Sequence, residues 1–174
     1  MIKQLTIENL PEYAEVIRTS FQSVAIEFGI TPQNCPLHNI YITNETLAER
    51  FTKDFFPFGL FADEKLIGFV ALVYKGCNAF EMNLLSVLPE YRHLGYGKNL
   101  LHFCKNKTAE LGGEKILISI WEKHSRLKNW YTANGFVFIE EKITDFFPYP
   151  VVYMEWVRKE AVKNGIEYNC EGDS

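Results

Sequence analysis

The sequence contains no apolar stretch long enough to cross a membrane. A membrane-spanning helix requires about 18 or more consecutive apolar residues, and no such run occurs in the 174 residues. The opening segment, residues 1–8, has one lysine and no long apolar stretch after it, so it lacks the pattern of a secretory signal peptide. From these absences we expect a cytoplasmic protein without a membrane partner.

An excess of positive charge is also absent. The chain has 18 lysines and arginines against 22 aspartates and glutamates, which gives a net charge of −4. A protein that binds nucleic acid without sequence preference usually carries an excess of basic residues on its binding surface. The sequence therefore predicts no nucleic-acid partner, although a local basic patch stays open.

The cysteines and histidines lack the spacing of a metal site. Cys35, Cys77, Cys104 and Cys170 form no C-x-x-C pair, and no histidine follows at zinc-finger spacing. There is also no H-x-x-x-H motif and no suitably spaced cluster of carboxylates. We therefore expect no metal. A chain of this size needs no disulfide to hold its core, so we expect reduced thiols.

What the sequence does contain is the composition of one globular domain, 47% hydrophobic and 23% charged. A short β-like opening is followed by two helical segments, then by a run of strands, and then by alternating helices and strands. This order predicts a mixed α/β (α+β) domain built on one sheet. We assign residues 1–156 to a single domain and residues 157–174 to a polar, mobile tail.

Apolar periodicity and turn residues predict the bounds of these segments. The predicted helices cover residues 10–29, 44–52, 97–112 and 125–134, and the predicted strands after the opening cover residues 58–62, 66–74, 80–87, 115–120, 136–139 and 151–156.

The segment between the strand at 80–87 and the following helix combines glycine with positive charge. Gly95 and Gly97 stand two residues apart, and Arg92 and Lys98 flank them. Glycine lets backbone N–H groups approach an anion closely, and a helix N-terminus adds free N–H donors and a positive dipole end. The segment therefore indicates a phosphate-binding loop. A tight turn before a helix remains the alternative.

Two nucleotide-binding patterns are absent from this segment. The pattern G-x-x-x-x-G-K-[ST] fails because the two glycines are too close and Asn99 follows the lysine. The pattern G-x-G-x-x-G fails because Leu100 occupies the third glycine position. A nucleotide-binding enzyme is therefore disfavoured.

The run Arg-His-Leu-Gly-Tyr-Gly at residues 92–97 resembles R/Q-x-x-G-x-G/A, the acyl-CoA pyrophosphate signature of the GNAT superfamily of N-acetyltransferases. The resemblance extends in element order over residues 1–156 and is most specific at 80–101 and 121–136. It implies a GNAT-like fold, in which one central, mostly antiparallel mixed sheet of six to seven strands is flanked by about four helices. It also implies acetyl-CoA as the co-substrate.

The same resemblance implies a set of cofactor contacts. Backbone groups of Leu85 and Val87, with Ser86 between them, would pair with the pantetheine arm. Asn129, and more weakly Ser125, would contact the cofactor from the last helix. The amides of one loop would hold the pyrophosphate, and that loop consists of Arg92, His93, Leu94, Gly95, Tyr96, Gly97 and Lys98.

Tyr131, with Gly135 and Phe136, resembles the family's Y-x-x-x-G-F segment. The resemblance implies that the Tyr131 phenol points toward the cofactor sulfur and protonates the departing thiolate. A tyrosine packed in the core is the alternative interpretation.

Glu81 lies eleven residues before Arg92, where histone acetyltransferases of the superfamily carry a catalytic glutamate. The resemblance implies that Glu81 is the general base, acting directly or through a water. A solvent-exposed carboxylate is the alternative. Asn83, two residues further along the strand, shares its face.

The reaction implied is transfer of an acetyl group to a primary amine by direct attack in a ternary complex. Residues 20–58 and 140–153 would shape the acceptor site. They are aromatic and carry Asp54, Glu140, Glu141 and Asp145, which suits a cationic amine. A small-molecule amine and a peptide amine both stay open, and so does a homodimer. The alternatives are a transferase that uses another acyl-CoA and a non-catalytic acyl-CoA-binding module.

Overall fold

The computed structural model of the chain describes residues 1–143, 145 and 147–159. Thr144, Phe146 and residues 160–174 lie outside this description, and they include most of the predicted tail. In the described ranges, no helix has both the length and the apolar character needed to cross a membrane.

A seven-stranded sheet carries the fold, with the order β1-β2-β3-β4-β5-β7-β6. Every neighbouring pair is antiparallel except β4 and β5, which are parallel. Together with four α-helices in the described residues, this confirms the predicted mixed fold class. The elements are β1 (Ile2–Gln4), α1 (Leu10–Glu27), α2 (Asn44–Ala48), β2 (Phe55–Ala62), β3 (Lys65–Tyr74), β4 (Ala79–Val87), α3 (Tyr96–Glu110), β5 (Lys115–Trp121), α4 (Ser125–Ala133), β6 (Val137–Lys142) and β7 (Val151–Val157).

Two predicted bounds are wrong around α2. The helix ends at Ala48 rather than near residue 52, and β2 begins three residues earlier than predicted, at Phe55. Thr43 caps the start of α2 by a reciprocal pair of hydrogen bonds with Thr46, as the sequence indicates. The early start of β2 comes from pairing with β3, because Phe55 lies opposite Val73. Tertiary pairing here overrides the local signal.

The two long helices cover opposite faces of the sheet. Tyr13 of α1 packs against Phe69 of β3, with the ring centroids 6.2 Å apart. Phe103 of α3 packs against Phe58 of β2 at 4.9 Å. Phe58 is paired with the residue after Phe69, and successive strand residues point to opposite faces. The core therefore has two layers, and the α1 face and the α3 face are distinct chemical surfaces.

The cysteines differ in state. Cys35 and Cys104 are free and buried, and burial raises the pKa of both thiols, that of Cys104 to about 12. Cys77 is disulfide-bonded, and Cys170 lies outside the described residues. The expectation of reduced thiols is therefore confirmed for Cys35 and Cys104 and wrong for Cys77.

β4 and β5 diverge after a short parallel contact. They pair only between Ala79–Glu81 and Lys115–Leu117, although both strands continue. Leu84 has φ +58°, and the β3–β4 register shifts at this point. An extra residue in one strand bends it away from its neighbour. The result is a wedge-shaped gap between the far ends of β4 and β5.

Candidate active site

A cavity of about 650 Å³ opens at the gap between β4 and β5. We call one side of it the strand wall, which consists of Leu85, Ser86, Val87, Arg92 and His93. We call the opposite side the helix wall, which includes Ser20, Phe21, Ser23, Glu27, Leu37, His38, Asn39 and Arg50. The end of β5 and the start of α4 complete the lining, notably Ser119, Trp121, His124, Arg126 and Leu127.

The strand wall presents main-chain groups to the cavity. The N–H of Leu88 donates to the carbonyl of Ile67 over 2.9 Å. Along an antiparallel strand, residues alternate between those whose N–H and carbonyl bond to the neighbouring strand and those whose N–H and carbonyl point away from it. Leu88 bonds to β3, so Val87, the residue before it, is of the second kind. Both groups of Val87 therefore point away from β3, toward the gap. An amide-bearing ligand such as a pantetheine arm finds donors and acceptors on this edge.

The Arg92 side chain ties the two walls together. Its Nε donates to the carbonyl of Val87 over 3.1 Å, its Nη1 donates to Ser23 Oγ over 2.7 Å, and its Nη2 donates to the carbonyl of Ser20. All three acceptors are neutral. Burial, and then the nearby Arg126 charge, lower the pKa of Arg92. The guanidinium is thus a clamp between β4 and α1 that also brings positive charge to the cavity.

The start of α3 is built to receive an anion. Gly95 caps the helix with φ +86°, and the first intrahelical bond runs from the Asn99 N–H to the Gly95 carbonyl over 3.0 Å. The N–H groups of Tyr96, Gly97 and Lys98 therefore have no partner within the helix. The first turn carries no acidic residue. A Cβ added at Gly97 would meet only Trp130, at 3.9 Å, so the space beside the Gly97 Cα is uncrowded.

Of the other predicted residues of this loop, His93, Leu94 and Lys98 are exposed and Tyr96 is half-buried. His93 has φ +63° and lines the cavity. Leu94 is 66% exposed and Lys98 is exposed, while the Tyr96 ring lies 6.2 Å from that of Tyr91. The loop thus offers backbone donors and one free lysine, which fits a pyrophosphate group.

On α4, the residues at the cavity differ from those predicted. Asn129 and Ser125 are exposed, and neither is among the lining residues. Arg126 and Leu127 line the cavity instead. The sequence resemblance pointed to this helix, but the side of the helix that faces the gap depends on how α4 packs.

Tyr131 lies in the core between α3 and α4, and only 5% of it is exposed. Its ring packs 4.9 Å from Trp130 and 5.2 Å from Phe136. Burial, followed by the nearby Cys104, raises the pKa of Tyr131, so the phenol stays protonated at neutral pH. Tyr131 is not among the cavity-lining residues.

Glu81 shares a sheet face with the cavity but lies outside its lining. It is opposite Val73 of β3 and Leu117 of β5. Val73 is four residues from Phe69, so Glu81 lies on the α1 face. Ser119, two residues beyond Leu117, lines the cavity on that same face.

An ion pair holds the Glu81 carboxylate in this structure. Its Oε2 lies 3.6 Å from Lys75 Nζ, and both side chains are partly exposed. Asn83 is also half-buried and shares the face of Glu81. A ligand that extends from the cavity along β4 toward the β4–β5 contact would approach both residues.

The charges of the cavity differ from those predicted for an amine-binding wall. Asp54, Glu140, Glu141 and Asp145 do not line the cavity. Glu27 is the carboxylate that does, and it forms an ion pair with Arg126 over 2.9 Å. The expectation of an acidic acceptor wall is therefore wrong for the described residues. Glu140 and Glu141 lie in the edge strand β6, and Asp54 and Asp145 lie outside the helices and strands, which sequence spacing does not relate to the cavity.

Sequence reasoning also missed the polar groups of the helix wall. Ser20 is buried, lines the cavity and leaves its Oγ without a hydrogen-bond partner. His38 packs its ring 5.3 Å from Trp121 and 5.8 Å from Phe21. Burial lowers the pKa of His38, so the imidazole is neutral at pH 7. A single Ser or His in a helix or loop carries no motif that would have singled it out.

The geometry agrees with the comparisons to known proteins. A family model for the GNAT acetyltransferase domain matches residues 57–138. This range contains the strand wall, α3 and α4, and it excludes the helix wall. Within the described residues, no group of three or more His, Cys, Asp or Glu side chains is placed to hold a metal ion.

Similar proteins cover nearly the whole chain. A spermidine N(1)-acetyltransferase of Thermoplasma acidophilum is 28% identical over 153 residues, covering 83% of this chain and 92% of that protein. An uncharacterised N-acetyltransferase of Lactobacillus delbrueckii subsp. lactis is 25% identical over 166 residues, covering 83% and 93%. The crystal structure of the PaiA N-acetyltransferase from Thermoplasma acidophilum in complex with coenzyme A superposes with a TM-score of 0.73 at 26% identity, covering 91% and 98%.

Proposed function

Because the chain belongs to the GNAT family of acetyltransferases and is an acyltransferase, we propose that it moves an acetyl group from acetyl-CoA to a primary amine by direct attack in a ternary complex. The observation that supports this most strongly is the cavity at the wedge between β4 and β5, because Arg92 and His93, from the segment that leads into α3, line it. One side of the wedge suits an extended amide chain, and the helix start suits a pyrophosphate.

The proposed cofactor position follows from these two features. The pyrophosphate lies on the amides of residues 92–98, and the pantetheine arm runs along the strand wall. The Val87 carbonyl already accepts from Arg92, so the Val87 N–H is the group that remains for the arm. The thioester then lies deeper in the wedge, where β4 and β5 converge toward Glu81.

In the proposed reaction, the neutral amine nitrogen attacks the thioester carbonyl carbon and forms the C–N bond. The C–S bond then breaks, and the nitrogen loses one proton while the CoA sulfur gains one. An alkyl amine has a pKa near ~10.4 and is mostly protonated at neutral pH, so a base must remove a proton first. A main-chain N–H on the bent part of β4 is suitably placed to stabilise the developing oxyanion.

We assign the base to Glu81, acting directly or through a water, with Asn83 beside it to orient that water. Glu81→Gln should lower turnover by roughly ten- to a hundred-fold and leave the affinity for acetyl-CoA unchanged. Glu155→Gln is the matched control, since Glu155 lies in the same row of the sheet, opposite Leu117. Equal loss of activity in both variants would remove Glu81 from the mechanism.

A thiol-release assay tests the proposal as a whole. The purified protein is mixed with acetyl-CoA and a panel of amines, and free thiol is followed with a chromogenic disulfide. We expect thiol release that depends on the amine, with a thermal shift on addition of CoA. If CoA neither stabilises the protein nor is released, the assignment of residues 92–98 is wrong.

Two other functions share the same cofactor site. A transferase that uses a larger acyl-CoA would be active in the same assay only when the acyl donor is changed. A non-catalytic acyl-CoA-binding module would show the thermal shift and no turnover with any donor. We favour the acetyltransferase because a partly exposed carboxylate, that of Glu81, lies at the β4–β5 contact on the same sheet face as the cavity.

We also propose that the protein is a cytoplasmic enzyme made of one domain. The sequence predicts this domain over residues 1–156, and we place its end one residue later because β7 ends at Val157. A homodimer fits the edge strand β6, where Val137, Phe138 and Ile139 are 56%, 54% and 43% exposed. Light scattering after size exclusion tests this assembly, and a monomer at micromolar concentration would contradict it.

A further inference from the structure

The helix wall carries a positive charge that no described residue neutralises. Three arginines line the cavity: Arg50, Arg92 and Arg126. Arg126 pairs with Glu27, and Arg92 donates to three neutral acceptors across the walls. Within the described ranges, Arg50 has neither a hydrogen bond nor an ion pair through its side chain.

Arg50 is also partly withdrawn from water. It follows α2, its side chain is half-buried, and its burial lowers its pKa. A desolvated charge without a partner is unfavourable, and a nearby anion relieves that cost. The guanidinium presents a planar set of N–H donors that matches a carboxylate or a phosphate. The structure around Arg50 therefore has the properties of one half of an ion pair.

The second half of that pair is not the cofactor pyrophosphate, which the proposed function assigns to the start of α3. Arg50 instead shares the helix wall with Phe21, Leu37 and His38, which come from α1 and the chain between α1 and α2. The ligand that faces this wall is therefore the acyl acceptor, since the cofactor is assigned to the strand wall and the start of α3. Ser20 adds an unpaired hydroxyl, which is 3% exposed and lines the same cavity.

We propose that the acceptor is an amine that also carries an anionic group, a carboxylate or a phosphate, and that Arg50 binds this group. This inference rests on the proposed acetyl transfer and names its substrate class. The aromatic side chains of Phe21 and Trp121 would pack against the body of the acceptor, and its amine would extend toward the converging ends of β4 and β5.

A polyamine does not fit this cavity. It carries several positive charges, and the described lining holds three arginines and one carboxylate that is already paired. Like charges repel more strongly in a partly enclosed cavity than in bulk water. The chain therefore differs in acceptor from the spermidine N(1)-acetyltransferase that it resembles.

Matched pairs of amines test the proposal. L-amino acids are compared with their carboxamides, O-phosphoethanolamine is compared with ethanolamine, and spermidine serves as the polycation. We expect the anionic member of at least one pair to have a kcat/KM about ten-fold or more above its neutral partner. The amino-acid and phosphate arms separate the two kinds of anion. Preference for spermidine, or equal rates within every pair, would overturn the proposal.

Variants of Arg50 then locate the effect. Arg50→Met should lower kcat/KM for the anionic member about ten-fold or more, leave the neutral partner within about two-fold, and leave the KM for acetyl-CoA unchanged. Arg50→Lys should restore part of the loss. Arg18→Met is the control, because Arg18 bonds to Ile42 and Glu15 and does not line the cavity. A raised KM for acetyl-CoA in Arg50→Met would assign Arg50 to the cofactor and overturn the proposal.

A binding measurement keeps this test separate from the proposed function. If no amine is acetylated, the same pairs are titrated into the CoA-loaded protein by calorimetry. Tighter binding of an anionic member, lost in Arg50→Met, would support the inference even though the acetyl transfer had failed. Equal binding within each pair, or no binding of any anionic member, would overturn it.

Discussion

The two walls of the cavity are made from different parts of the polypeptide. In the proposed function, the strand wall and the adjoining start of α3 bind the cofactor through main-chain groups, and the positive φ at Gly95 sets the path of the loop that presents them. The helix wall instead presents side chains to the cavity, such as those of Arg50 and His38, which come from different segments of the chain. A backbone site constrains a few consecutive residues, whereas a side-chain site is assembled only by folding.

Arg92 belongs to both walls, so its removal should have the largest effect. Arg92→Met deletes three hydrogen bonds that join Val87 to Ser20 and Ser23, and it removes the partner of the Val87 carbonyl. We expect a loss of about 3 kcal/mol in the free energy of unfolding and much weaker binding of acetyl-CoA. Urea denaturation and calorimetry measure the two effects.

Arg18→Met is the matched control for Arg92→Met, because Arg18 also joins α1 to another segment, through the carbonyl of Ile42 at 2.9 Å. It should cost only about 1 kcal/mol. Arg92→Lys keeps the charge but cannot make the three bonds. If Arg92→Lys retains full stability, the clamp between the walls is not what Arg92 provides.

Gly95→Val should have the second-largest effect, because it disturbs the main-chain N–H groups at the start of α3. A β-branched residue at φ +86° is strained by about 1–2 kcal/mol, and the loop that presents the amides should move. We expect acetyl-CoA affinity to fall by at least about thirty-fold, which corresponds to about 2 kcal/mol. Substituting both Gly95 and Gly97 by Val should abolish binding in calorimetry.

Gly112 offers the control for backbone strain. It lies just beyond the other end of α3 with φ +79°, and a Cβ there would meet nothing within 4 Å, as at Gly95. Gly112→Val should destabilise the fold by a similar amount and leave cofactor affinity unchanged. Similar loss of affinity in both variants would show that strain alone, rather than loop geometry, governs binding.

The same difference between a wall of main-chain groups and a wall of side chains decides what could be predicted from the sequence. The phosphate-binding loop could be predicted because its requirements lie within residues 92–98, and the predicted fold class and the order of helices and strands along the chain followed from periodicity. Arg50, Ser20 and His38 were not recognisable, because each lies in a different segment and carries no motif. The expected acidic wall failed for the same reason, since sequence shows that a carboxylate exists but not where it points.

Tyr131 is the predicted proton donor to the departing thiolate, and its substitution should have a smaller effect. Tyr131→Phe keeps the ring contacts with Trp130 and Phe136 and removes only the proton donor. We expect turnover to fall by about ten-fold, because a thiolate is a good leaving group, with no change in acetyl-CoA affinity. Steady-state kinetics measure the loss. Tyr13→Phe, at another buried tyrosine, is the control, and equal turnover in Tyr131→Phe and the parent would leave Tyr131 with a packing role alone.

His38 gives the smallest expected effect and tests whether the helix wall titrates. Burial lowers the pKa of His38 in the folded protein, while its unfolded value is near ~6.5. Below that pH the unfolded chain binds more protons than the folded one, so the free energy of unfolding should rise with pH until both forms are neutral.

His38→Asn preserves an acceptor for the Ile40 N–H and removes the titration. Urea denaturation from pH 5 to pH 8 should therefore show a shallower rise in the variant, and His124, whose pKa burial also lowers, accounts for part of the slope that remains. Identical slopes in both proteins would show that the pKa of His38 is the same in the folded and unfolded chains, so that the helix wall does not desolvate this imidazole.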